Sequence, residues 1–209
     1  MHRIQYISQG TTQEEQLLNI ENVLKAGCRW VQLRFKNADE ATFLDTAKKA
    51  KMLCVKYNAV FIINDHIAVA KEVDADGIHL GLTDAKIAEA RTILGEGKII
   101  GGTTNKYEDV LQRIDEKCDY VGLGPFQFTT TKEKLSPVLG LEGYKLVLDK
   151  LNAHNLTIPI YAIGGIEEKD IQEIIDLGIT GVAISGLLTH NDNRTEIIKK
   201  YEVENPVLN

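Results

Sequence analysis

Tyr120-Val121-Gly122-Leu123-Gly124-Pro125-Phe126-Gln127-Phe128-Thr129-Thr130-Thr131-Lys132 passes from a short apolar run into glycine, proline, three hydroxyls and an ammonium. The apolar start reads as a strand buried on both faces. Glycines let a backbone approach a ligand closely. Consecutive hydroxyls donate to oxyanions, and a lysine adds a point charge suited to phosphate. A strand that opens into such a loop predicts a place to hold a phosphorylated molecule.

Working outward, the same pattern recurs. Short apolar strands are expected at Arg3 to Ile7, Trp30 to Leu33, Val60 to Ile63, Gly77 to Leu80, Ile99-Ile100, Tyr120-Val121, Ile158 to Ile163 and Thr180 to Ile184. Helices with an apolar face are expected between them, among them Glu14 to Ala26, Asp39 to Lys56, Tyr107 to Glu116 and Lys169 to Leu177. Eight strand–helix units in 209 residues predict an α/β fold, a compact (β/α)8 TIM barrel forming a single domain over 1–209. A doubly wound sheet is the alternative. Glu204 to Asn209 reads as a loose tail, and Glu133 to Leu139 as a candidate lid on composition.

The net charge of −6 argues against a nucleic-acid binder. No apolar run approaches a membrane span, and the N-terminus lacks the apolar core of a secretory signal. Cys28, Cys54 and Cys118 are odd in number and lack CxxC spacing. Reduced thiols and a cytoplasmic protein are therefore expected.

In a barrel of this type the active site forms at the C-terminal ends of the strands. Those positions hold Gln32, Arg34 and Lys36; Asn64 and Asp65; Asp84; Thr103; Thr129, Thr131 and Lys132; Gly164 and Gly165; Ser185 and Gly186. Three cations, Arg34, Lys36 and Lys132, suit a diphosphate. Asp65 and Asp84 come from neighbouring units and offer only oxygen, which selects Mg²⁺. The glycine-bearing loops after strands seven and eight suit a monophosphate. Two anion sites result, with no nucleophile or acid–base pair beside them. Ionisation of a diphosphate leaving group needs none. Each cluster alone also has a plain structural explanation: Asn64-Asp65 and Asp84 as helix caps, Gly164-Gly165 as a tight turn, and His79 as a core histidine.

Gln32-Leu33-Arg34-Phe35-Lys36, Asn64-Asp65, His79-Leu80-Gly81 with Asp84, Gly124-Pro125 with Thr129-Thr130-Thr131-Lys132, and Ile163-Gly164-Gly165-Ile166 together resemble the thiamine phosphate synthase family, in that family's order, from about Ile4 to Leu188. The resemblance implies a transferase of thiamine biosynthesis. It would join 4-amino-2-methyl-5-hydroxymethylpyrimidine diphosphate to a thiazole phosphate, with Mg²⁺ as cofactor, by a dissociative mechanism. It implies Gln32, Leu33, Arg34, Phe35, Lys36, Asn64, Thr103 and Lys132 at the pyrimidine diphosphate. Asp65 and Asp84 would hold the metal. Thr129, Thr130, Thr131, Gly165, Ile184 and Ser185 would meet the thiazole phosphate. Arg34, Lys36 and Lys132 would assist catalysis. Partners would be small molecules, with a homo-oligomer possible. Four sites, five residues in all, depart from the family's pattern: Phe35 for glutamate, Leu82 for glutamine, Asn105 for histidine, and Gln127-Phe128 for Phe-Pro. The run Ala183-Ile184-Ser185-Gly186 that ends the last strand is one residue shorter than the family's usual run, which bears on the register of Ile184 and Ser185. The competing expectations are a thiazole tautomerase of the same superfamily and a non-catalytic phosphate-binding barrel. For half of a bifunctional enzyme, the sequence offers no second catalytic domain.

Overall fold

A computed structural model describes residues 1–128 and 137–202. Thr129, Thr130, Thr131, Lys132, most of the candidate lid and the expected tail lie outside the described residues. Eight parallel strands close into a barrel in sequence order. They are β1 (Ile4–Ile7), β2 (Trp30–Leu33), β3 (Val60–Asn64), β4 (Gly77–Leu80), β5 (Ile99–Thr104), β6 (Tyr120–Leu123), β7 (Ile160–Ile163) and β8 (Gly181–Ile184). The first seven are each followed by a helix: α1 (Gln13–Lys25), α2 (Glu40–Lys56), α3 (Ile67–Glu72), α4 (Ile87–Leu94), α5 (Tyr107–Asp115), α6 (Gly140–Ala153) and α7 (Glu168–Asp176). Two helices follow β8, the short α8 (Gly186–Thr189) and α9 (Arg194–Tyr201).

Local chemistry sets the helix starts. Thr12 accepts the Glu15 amide at 3.2 Å, and Asp39 accepts the Thr42 amide at 2.9 Å, so each side chain satisfies a donor that its helix cannot. Glu167 and Asp170 form a reciprocal capping box at α7.

The pleat divides the strand residues into two sets. One set, including Ile4, Tyr6, Val31, Leu33, Phe61, Ile63, Ile78, Leu80, Val121, Leu123, Val182 and Ile184, packs against the helices. The other set fills the lumen with Ile7, Trp30, Ile62, Tyr120, Tyr161 and Ala183. Trp30 meets Tyr120 and Tyr161 edge-on, with ring centroids 5.0 Å and 4.8 Å apart. Such contacts contribute about 0.5–1.5 kcal/mol each beyond area burial.

β5 differs from the sequence expectation. Ile99-Ile100 was expected to end at the glycines, but the strand continues through Gly101, Gly102, Thr103 and Thr104. Packing overrides the low strand propensity of glycine. A Cβ on Gly101 would lie 2.1 Å from Tyr120 Cζ, and one on Gly102 would lie 2.6 Å from Arg113 Nε. A side chain at either position would force Tyr120 or Arg113 to shift.

All three cysteines are free thiols, Cys28 and Cys54 buried and Cys118 half-buried. Burial pushes the Cys28 and Cys118 thiols up to about 12. No helix among the described residues is long and apolar enough to cross a membrane.

Candidate active site

The C-terminal ends of the strands form one rim, and strand order assigns its chemistry. Arg34 and Lys36 follow β2, Asn64 ends β3, Asp65 and Asp84 follow β3 and β4, and Thr103 lies on β5. Gly165 and Ser185 follow β7 and β8. Cations and carboxylates thus share one arc, and the glycine–serine turns share another.

Asp65 is the residue around which the first arc is built. It sits in the left-handed region at φ 66°, which Asp and Asn tolerate better than most side chains. Its carboxyl is raised to about 7, first by desolvation, then by hydrogen-bond contact with the Asp84 carboxyl and by that group's charge. The Asn64 side chain and Arg34 pull in the opposite direction. Desolvation lowers the Arg34 guanidinium from its usual value, and Asp65 partly restores it. Asp84 is held by the Gly81 amide, which donates to Oδ2 at 2.6 Å. Two carboxylates in mutual contact repel each other when both ionise, and a divalent cation between them relieves that repulsion. Their oxygens suit Mg²⁺. Among the described residues no group of three or more His, Cys, Asp or Glu could hold a metal. Substrate oxygens or water would have to complete the shell.

The lumen floor below this arc is polar. Gln32 Nε2 donates to Gln5 Oε1 at 3.2 Å, and Gln5 Nε2 donates to the Tyr120 hydroxyl at 3.0 Å. That hydroxyl contacts His79 Nδ1 at 3.0 Å, and His79 Nε2 contacts Thr103 Oγ1 at 3.1 Å. Five strands are joined through this chain. Gln32 and His79 are 2% and 6% exposed, so both are buried and partnered. His79 has the core placement expected of it, yet its second nitrogen reaches a rim hydroxyl. Gln5 and Tyr120 were not legible as site residues, because their contacts join β1 to β6 across the lumen. The only hint was a glutamine inside an apolar strand.

Leu33, Phe35 and Ile184 are buried with the helix-facing set. Only their main chain could face a ligand. Lys36 lies exposed on the turn after β2. Ser8 Oγ accepts the Arg34 amide at 2.9 Å and fixes the start of that turn.

On the second arc, Gly164 and Gly165 have φ values of 96° and 69°. A Cβ on Gly165 would lie 2.7 Å from the Phe128 carbonyl oxygen. The segment after β6 packs directly on this turn: the Phe126 amide donates to Ile163 O at 2.8 Å and the Gln127 amide to Gly164 O at 2.9 Å. Two departures from the family pattern acquire structural roles here. Gln127 Nε2 donates to Asp170 Oδ2 at 3.1 Å, tying the segment to the α7 capping box. Asn105 Nδ2 donates to the Gly124 carbonyl. Ser185 Oγ donates to Gln9 Oε1 at 3.4 Å, which adds Gln9 to the rim. Phe128 is 71% exposed at the point where the threonine run begins.

The chain is similar to known proteins over nearly its whole length. A thiamine-phosphate synthase of Flavobacterium psychrophilum is 56% identical over 197 residues, covering 94% of this chain and 96% of that protein. One from Flavobacterium johnsoniae is 51% identical, covering 95% and 94%. The solved thiamine phosphate pyrophosphorylase of Pyrococcus furiosus superposes with a TM-score of 0.81 at 28% identity, covering 95% of this chain and 94% of its own. With residues 5–188 matching the thiamine monophosphate synthase family across all eight strands, the chain belongs to that family.

Proposed function

We infer that this chain is a thiamine-phosphate synthase. It joins the pyrimidine methyl carbon of 4-amino-2-methyl-5-hydroxymethylpyrimidine diphosphate to the ring nitrogen of a thiazole phosphate. The observation that carries the reading is the division of the rim: cations with a carboxylate pair on β2 to β4, and glycine turns on β7 and β8. Two anionic substrates need two such arcs, with their reactive atoms meeting over the lumen.

The chain's residues act by binding and charge. Arg34, Lys36 and Lys132 hold the diphosphate, and their charges favour its departure. Asp65 and Asp84 would hold Mg²⁺, which neutralises the diphosphate oxygens when bound. Gln32 and Asn64, with the Thr103 hydroxyl, orient the pyrimidine end. Gly165 and the main chain at Ile184 and Ser185 receive the thiazole phosphate through N–H groups, and the hydroxyls of Thr129 to Thr131 would contact it. The C–O bond breaks with its electron pair on diphosphate. The thiazole nitrogen lone pair then forms the C–N bond to the pyrimidine methyl cation. A carboxylated thiazole loses CO₂ afterwards. No protein nucleophile takes part. The lumen network keeps Gln32 and Thr103 preorganised, so little reorientation is needed during ionisation. A single domain working in the cytoplasm fits the free thiols and the net charge.

The test is incubation with pyrimidine diphosphate, thiazole phosphate and Mg²⁺, with thiamine phosphate followed by thiochrome fluorescence. Product that disappears with EDTA is expected. Slow change of a carboxylated thiazole phosphate alone, with no coupling, would move the assignment to a tautomerase. Binding without turnover of either substrate would leave only a phosphate-binding barrel.

A further inference from the structure

Arg113 lies on α5 in the helix layer, outside the lumen and outside every ligand group named above. Its side chain is 3% exposed, yet it carries a full charge. Each of its nitrogens has a partner. Nη2 donates to the Gly81 carbonyl at 2.8 Å, Nε donates to the Thr103 carbonyl at 3.4 Å, and Nη1 pairs with Glu116 at 2.7 Å. Gly81 is the residue whose amide holds Asp84 Oδ2. Thr103 is the residue whose hydroxyl meets His79. A single buried cation therefore grips the two main-chain positions that aim a metal carboxylate and a rim hydroxyl. Space for it is provided by Gly102, where a Cβ would come within 2.6 Å of Nε and 2.7 Å of Cδ.

We propose that Arg113 is a positioning residue for the divalent-cation–diphosphate arc. It fixes Gly81, and through Gly81 the direction of the Asp84 carboxylate, relative to Thr103 on the next strand. The inference rests on Asp65 and Asp84 holding the cation. A guanidinium is suited to this task because its planar fork reaches two carbonyls and a carboxylate at fixed angles, which an ammonium cannot do. Groups that orient metal ligands without touching the metal commonly change metal affinity when altered.

The experiment measures Mn²⁺ binding by electron paramagnetic resonance, with inorganic diphosphate present, in the wild type, Arg113→Lys and Gly102→Ala. Thermal melting is recorded alongside. In Arg113→Lys the Mn²⁺ dissociation constant is expected to rise about tenfold, while KM for thiazole phosphate stays within about twofold. Gly102→Ala, which presses a methyl on the guanidinium, is expected to move Mn²⁺ affinity in the same direction. A folded Arg113→Lys that melts earlier but binds Mn²⁺ as the wild type does would reduce Arg113 to a core support. Should that variant not fold, unchanged Mn²⁺ affinity in folded Gly102→Ala overturns the proposal. A wild type that binds no Mn²⁺ with diphosphate would remove the Asp65/Asp84 site itself, and this inference with it.

Discussion

Replacing Asp65 with asparagine separates the metal role of the carboxylate pair from its structural cost. Asparagine tolerates the φ of 66° at this position, so the backbone has little reason to change. The wild-type carboxyl is raised from 3.8 to about 7. The folded chain therefore keeps a proton that the unfolded chain releases. Stability from this group is full below about pH 4, falls as pH rises to about 7, and is lost above that. At 1.36 kcal/mol per pK unit the ceiling is about 4 kcal/mol. Asp65 lies on an open rim, where solvent and salt screen the repulsion, and about 1–2 kcal/mol is the expected remainder. For a chain of this size that corresponds to a rise in Tm of about 2–8 °C for Asp65→Asn at pH 8 without metal. At pH 4 the difference should vanish, because the wild-type group is then neutral. Adding Mg²⁺ with diphosphate should reverse the order, since a ligand stabilises only the state that binds it. The assay is differential scanning fluorimetry across pH 4 to 8, with and without Mg²⁺. An asparagine variant that melts below the wild type at pH 8 without metal would refute the repulsion. Equal Mg²⁺-induced shifts in both proteins would refute the metal assignment.

Lys132→Ala is expected to abolish coupling in the thiochrome assay, and a variant turning over near the wild-type rate would take Lys132 out of the site. Tyr120→Phe removes a fully buried hydroxyl that meets Gln5 and His79 at 3.0 Å each. Leaving both partners short of a bond should cost about 2–4 kcal/mol, read as a lower urea midpoint at unchanged slope. Gly165→Ala must adopt a positive φ and meets the Phe128 carbonyl oxygen at 2.7 Å. KM for thiazole phosphate should rise about tenfold, corresponding to ~1.4 kcal/mol, while KM for the pyrimidine diphosphate is unchanged.

Several features were legible because they are local in the chain. The short apolar runs carry strand character, Thr12 and Asp39 announce their helices, and the polar residues that follow each run mark the rim. Once eight such units close into a barrel, residues from Arg34 to Ser185 must gather at one end. Tertiary structure decided what depends on pairing and pleat. Gln32 and Leu33 are sequence neighbours, yet adjacent strand positions face opposite sides, so one joins the lumen network and the other packs on the helices. Gly101 and Gly102 read as the end of a strand, but the ring of Tyr120 and the guanidinium of Arg113 occupy the space their side chains would need, and the strand continues. The contact of Asp65 with Asp84 arises when β3 pairs with β4, and that of Gln5 with a tyrosine 115 residues away only when the sheet closes. Residue type and local order dictate which groups end a strand. Register and closure decide which of those groups touch, because contact is set by distance in space and not along the chain.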